Sequence, residues 1–122
     1  MRAIKFRLRI GNEILGYEQW YIGDGSNSHW EYLKVNSNTW RPDFIYHTRK
    51  DQYIGTTDKN KKEIYGGDIL RTNEAGWVGA VHFHDGRFYL EDSKGGFSYR
   101  PDWGLCEIIG NIYQNPELLG SE

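Results

Sequence analysis

Asp85-Gly86, inside "GWVGAVHFHDGRFYLED", constrains this chain more than any other pair of residues. A two-residue mirror-image turn needs positive φ at both central positions, which Asp and Gly tolerate, and apolar–polar alternation enters the turn from both sides. Such a reversal pairs His84 with Arg87, Phe83 with Phe88, His82 with Tyr89 and Val81 with Leu90. Successive strand side chains point to opposite faces, so Val81, Phe83, Phe88 and Leu90 are expected to be buried together, with Trp77 and Gly79 continuing their face. His82, His84, Arg87 and Tyr89 share the other face.

Further short strands are expected around this hairpin, at 68–72, 97–99 and 105–113 beside 76–84 and 87–92. Five short strands with one long hairpin point to a mainly β fold with a small SH3-like barrel in the C-terminal half; an OB-type barrel is the rival. The barrel opens at "IYGGDIL", where Gly66 and Gly67 let the backbone bend and Asp68 can accept backbone N–H groups. Gly110 is expected to bend the last strand. In "NPELLG", Asn115 reads as the N-cap, Pro116 as the first residue and Gly120 as the terminator of a short helical turn.

The N-terminal half begins with a clear strand. Ile4, Phe6, Leu8 and Ile10 alternate with Lys5, Arg7 and Arg9, which predicts an apolar face backed by a row of three cations. That row is either a stripe for phosphates and acids or, more commonly, a solvated strand whose charges discourage edge-to-edge pairing. Residues 17–22 and 29–35 flank "GDGSNS" as a hairpin carrying Trp20, Tyr21, Trp30 and Tyr32. These rings either fill a thin core or offer a stacking platform. Periodicity fades over 36–51, and Pro42 argues against a central strand there, so a loop with a short helix or strand is expected. In the turn at 58–62, a left-handed Lys61 would cost about 1 kcal/mol.

With 122 residues the chain is expected to form one compact domain, a 1–52 β region packing on a 53–122 barrel. Net charge is −2, with ten Lys/Arg against seven Asp/Glu up to residue 61 and five against ten beyond it. A basic first half does not amount to the strong basic patch typical of nucleic-acid binders. Cys106 is the sole cysteine, which excludes an intrachain disulfide and fits a reducing compartment. "MRAIKFRLRI" lacks a signal-peptide core, and no apolar run reaches the roughly 20 residues of a membrane span. A cytoplasmic protein with no membrane partner is expected.

Three blocks resemble the YopX family of phage and prophage proteins. The family's opening "REIKFRAW" is similar to Arg2, Ala3, Ile4, Lys5, Phe6 and Arg7. Its central "YTGLKDKNGKEIYEGDIV" is similar to "YIGTTDKNKKEIYGGDIL", Tyr53 to Leu70, and its terminal "GNIYENPELL" to "GNIYQNPELL", Gly110 to Leu119. Order and spacing agree in all three. Leu8-Arg9 replaces a small-plus-aromatic pair, Lys61 replaces the turn glycine, and Gly66 replaces a glutamate. The resemblance implies a mainly β phage or prophage protein, in the cytoplasm of a bacterial host, with an SH3-like C-terminal barrel and no catalytic residues to carry over.

Chemistry-bearing groupings are few. His82 and His84 project from one strand face about 7 Å apart, and with Asp85 they suggest a two-histidine, one-carboxylate metal site. Asp85 is needed by the turn, however, and a half-exposed face of polar rings is the simpler reading. Asp58, Glu63 and Asp68 suit solvated charge and backbone capping better than acid–base work. No Walker loop, GxSxG elbow or HExxH occurs. Cys106 is expected to be a buried, inert thiol. The functional expectation is a non-catalytic interaction module, without cofactor or metal, that binds a host or phage protein through His82, His84, Arg87 and Tyr89 and self-associates. A nucleic-acid-binding module using the Lys5, Arg7 and Arg9 stripe together with the barrel aromatics is the alternative, and a metal-dependent enzyme at His82/His84 a distant third.

Overall fold

The alternation near the N-terminus makes strand β1 (Lys5–Ile10), which pairs antiparallel with β2 (Glu13–Tyr21) on one side and β4 (Arg49–Thr57) on the other. The computed structural model describes residues 4–74 and 76–119; Gly120, the expected helix terminator, lies outside them. Two compact units divide the chain, Met1–Tyr53 and Ile54–Glu122. Strand β4 runs through the division.

In the first unit β3 (His29–Lys34) adds to β2 as the predicted hairpin, with Glu18 opposite Tyr32 and Trp20 opposite Trp30. The expected burial of β1 is corrected. Leu8 is fully buried, but Ile4 and Ile10 are 54% and 42% exposed, while Arg7 and Arg9 are each only 6% exposed. Register explains the inversion: Asp51 of β4 lies directly opposite Arg7. Its buried carboxylate takes Arg7 Nε at 3.0 Å and both Nε and Nη2 of Arg9 at 2.9 Å. Arg9 Nη1 donates to the Gly11 carbonyl at 2.8 Å. The cations are neither a solvated row nor an exposed stripe, because forked guanidiniums can be satisfied inside a fold by one well-placed carboxylate.

Residues 35–48 are irregular, as their lost periodicity suggested, apart from a single bridge between Arg41 and Tyr32. Thr48 N–H then donates to the Arg9 carbonyl at 3.0 Å, which delivers the chain into β4 beside β1. Pro42 stands outside the strands.

The second unit continues β4 and adds β5 (Glu63–Tyr65), β6 (Asp68–Arg71), β7 (Val78–His84), β8 (Arg87–Glu91), β9 (Phe97–Ser98) and β10 (Glu107–Asn111). The strands among the described residues form two antiparallel sheets, ordered β3-β2-β1-β4-β5 and β10-β6-β7-β8-β9. All four hairpin pairs around Asp85-Gly86 occur in the expected register, with φ of 52° and 79° at the two turn residues. Val81, Phe88 and Leu90 enter a core with Ile54, Ile64, Leu70 and Cys106, and Trp77, Trp103 and Ile108 pack around it. Phe83 does not enter it. It is 54% exposed although Phe88, directly opposite, is buried, and the two rings meet edge-on at 4.8 Å.

No closed barrel forms among the described residues, so the expected closure is corrected to an open sheet. β9 is only two residues long, and the outer edge of β10 is already occupied. Lys59 N–H donates to the Cys106 carbonyl at 2.9 Å, and the buried Asp58 carboxylate accepts the Ile108 N–H at 3.0 Å. The other oxygen of Asp58 accepts N–H groups of Asn60 and Lys62 at 2.8 and 2.9 Å. These bonds hold Lys61 at a φ of 68°, the strained conformation foreseen for that turn. Asp58 is thus a buried cap rather than a solvated charge.

Gly67 has a φ of 89°, and a Cβ there would come within 2.8 Å of the Tyr113 hydroxyl. Gly66 is not at positive φ, so of the pair only Gly67 needs the left-handed freedom of glycine. Asp68 accepts the Tyr65 N–H at 2.8 Å, as expected of the bend. The last ladder is irregular between Ile108 and Gly110, where the bend was expected. Pro116–Leu118 form a 3-10 turn, but Asn115 gives it no side-chain cap; its Oδ1 accepts the Asn111 N–H at 3.2 Å instead.

Two stability measurements follow from these buried carboxylates. Asp51→Ala leaves two buried guanidiniums without that partner and is expected to cost about 3–5 kcal/mol in urea unfolding. At Asp58, burial pushes the carboxyl up, but the Ile108, Lys62 and Asn60 N–H groups, aided by the Lys62 charge, hold it below its ordinary value. A depressed native value means this contribution is complete above about pH 4 and disappears as pH falls through the native value. Asp58→Asn should therefore lower stability at neutral pH and flatten the acid limb of the stability–pH curve.

Candidate functional site

Tyr89 sits mid-strand on β8, opposite His82 of β7. On its other side β9 pairs Phe97 with Glu91 and Ser98 with Leu90, so alternation sends Phe97, and Tyr99 beyond it, to the Tyr89 face. The rings meet. Tyr89 lies 5.2 Å from Tyr99 and 6.4 Å from Phe97, which are themselves 4.9 Å apart, and His82 stacks on Tyr89 at 5.7 Å. The Arg87 guanidinium lies 5.4 Å over Tyr99, within cation–π range. Phe97 and Tyr99 are 58% and 42% exposed.

The structure thus brings together three of the four expected surface residues, His82, Arg87 and Tyr89. His84 stands apart at the exposed tip, where its Nε2 is 3.5 Å from Asp85 Oδ2. Phe97 and Tyr99 were missed as site residues. Their spacing, two apart in "FSY" after a Gly-Gly turn, was the available signal. Ala80 and Ile69, paired on the same face, are fully buried, so the open ground is confined to β8, β9 and the end of β7.

Electrostatics on this face are mild. Partial burial, then the hydrogen bond to Glu91 at 3.2 Å and its charge, raise the Tyr89 phenol above its ordinary value. No group of three or more His, Cys, Asp or Glu able to hold a metal ion occurs among the described residues. Cys106 is 1% exposed and its Sγ donates to the Asp102 carbonyl at 3.3 Å. Burial, then nearby carboxylates, push its thiol up, away from thiolate chemistry.

The first unit has its own aromatic group. Trp20 meets Trp30 edge-on at 5.2 Å, and the Lys50 ammonium lies 4.5 Å over Phe6. Lys50 also reaches Glu18 at 3.0 Å, which accepts the Tyr32 hydroxyl at 2.8 Å. Burial, followed by that hydrogen bond and charge, pushes the Tyr32 phenol up to about 12. Tyr32 and Glu18 are buried, so this group ties three strands together. Of the three β1 cations, Arg7 and Arg9 are buried on Asp51, and Lys5 lies 5.4 Å over the Tyr53 ring.

These features define an antiparallel, all-β protein of two units. The model of the family described as YopX protein matches residues 5–120, and the chain belongs to that family. The crystal structure of protein EF1440 from Enterococcus faecalis is similar, with 25% identity and a TM-score of 0.53, over 98% of this chain and 100% of that one. No curated protein matches the chain. No helix among the described residues is long and apolar enough to cross a membrane.

If the β8–β9 rings serve a surface rather than the core, removing them should leave the fold intact. The double variant Phe97→Ser, Tyr99→Ala is expected to change urea-unfolding stability by less than about 1 kcal/mol. Leu90→Ala, in the core below, should cost about 2–5 kcal/mol.

Proposed function

We propose that this YopX-family protein is a phage- or prophage-encoded accessory protein acting, without catalysis, in the cytoplasm of a bacterial host. Its aromatic face, His82, Arg87, Tyr89, Phe97 and Tyr99, binds a protein of the host or the phage. The observation that carries this reading is the set of contiguous rings on β8 and β9 with Arg87 above them. Tyr and Arg are enriched among the residues that dominate binding energy, since they bury large area with few rotamers to fix. Phenol and guanidinium groups at the rim supply hydrogen bonds once water leaves. We also read the five short strands as an SH3-like arrangement left open at β9, supported by strand count and the single long hairpin. Self-association through the same face belongs to this reading.

The nucleic-acid alternative has less support. It needs the Lys5, Arg7 and Arg9 stripe beside the aromatic surface, and two of these cations place their charge inside the fold on Asp51.

Affinity capture from lysogenic or infected cells, with the wild type and the Phe97→Ser, Tyr99→Ala variant side by side, tests the proposal. A protein retained by the wild type and lost with the folded variant is the expected result. Identical recoveries from the two baits would refute this assignment of the face.

A further inference from the structure

Beside the aromatic face, the second unit holds a cleft of about 420 Å³, within the size range of ligand pockets. It opens between the turn after β6 and the segment following β9, and Phe97 lines it as well as the aromatic face. Trp77 forms a wall, and its ring is fixed. The indole N–H donates to Asp92 Oδ2 at 3.0 Å, while Asp92 Oδ1 accepts the Lys94 and Gly96 N–H groups at 2.9 and 2.8 Å. Buried Cys106 also lines the cleft.

Three charged side chains line the same space, Glu74, Arg100 and Asp102. None of them makes a side-chain hydrogen bond or ion pair with a described residue. Two carboxylates against one guanidinium leave the cleft one negative charge in excess. The Cys106 thiol is raised most by burial, then by the carboxylates of Asp102, Asp58 and Glu74, the first and last of which line the cleft. An aromatic wall held in place and a single excess negative charge are complementary to one organic cation. Arg100 would repel a second positive charge and leaves the balance at one.

We propose that this cleft is an anchor pocket for one arginine or lysine side chain of a protein partner. The proposal rests on the protein-binding reading of the adjoining face and deepens it. Continuity through Phe97 favours a side chain of the docked protein over a free small cation, because a chain lying on Tyr89 and Tyr99 reaches the cleft directly. The stem of the cation packs along Trp77, and its head meets Glu74 and Asp102.

Blocked tripeptides with a central arginine, leucine or glutamate, titrated into the full ¹⁵N-labelled chain, test the pocket directly. The arginine peptide should shift the Trp77 indole and the amides of residues 97–102 saturably, with dissociation in the millimolar range expected of so small a fragment. The leucine and glutamate peptides should bind more weakly, and Glu74→Gln with Asp102→Asn, both exposed, should weaken the arginine peptide by about tenfold. No saturable shift up to about 50 mM overturns the proposal. So does a glutamate peptide that binds as well, or affinity unchanged in the double variant. Should the peptides fail while the Phe97→Ser, Tyr99→Ala variant still loses its captured protein, the pocket falls and the aromatic face stands.

Discussion

The Asp58 carboxylate is the point on which the second unit depends. Both oxygens are used by backbone N–H groups, those of Asn60 and Lys62 within its own turn and that of Ile108 from β10. Three such bonds outweigh the penalty of burying a charge, and they offset the left-handed backbone that Lys61 must adopt. The same contact decides the shape of the sheet. With Asp58 and Lys59 occupying the outer edge of β10, that edge is closed to further strands, and the two-residue β9 is left as the opposite margin. A sheet capped at one edge and open at the other leaves its uncovered side chains at the open edge. Tyr89, Phe97 and Tyr99 stand there.

A second buried carboxylate, Asp51, plays the corresponding part in the first unit, and it changes what the charge distribution means. The first half of the chain is formally basic. Yet Arg7 and Arg9 converge on Asp51, Lys50 is paired with Glu18, and Lys5 lies over Tyr53. Positive charge that counts toward the sequence total is therefore held inside the fold or against rings. Counting charges along a chain measures surface potential only when those charges are solvated, and here the strand register puts an acid opposite the arginines.

How much could be read beforehand follows from the range of each interaction. The hairpin register was legible because Asp85-Gly86 fixes it locally, and its four pairs occur as expected. Gly67, Asp68 and the bend at Gly110 were legible for the same reason, since each is settled within a few residues. Burial was less accessible. Arg7 meets Asp51 across 44 positions of sequence, so alternation alone assigned it to solvent. Phe83 continues an apolar alternation faithfully but stays exposed opposite buried Phe88, and period-2 patterning carries no information on where a core stops. Barrel closure failed on a similar point, because five strands in sequence do not disclose which edge a side chain will cap. Phe97 and Tyr99 were seen as strand residues but not as part of the site; their faces depend on pairing with β8.

In the complex proposed above, the aromatic face and the neighbouring cleft divide binding between two kinds of interaction. Rings on a sheet gain energy from any complementary apolar surface, and so they discriminate poorly among partners. A cleft with unpaired charges behaves oppositely. Glu74, Asp102 and Arg100 are solvated in the free protein, so a partner that covers them without a matching cation leaves an excess negative charge desolvated. That penalty falls on wrong partners and is relieved for one that presents a basic side chain at the right distance from its apolar anchor. Trp77 makes the discrimination geometric as well, since an indole held by Asp92 cannot swing aside to admit a poorly shaped group. Phe97 borders both features and links them: in the proposed complex a partner seated on the rings would stand at the mouth of the cleft, and the second contact would form within the first complex.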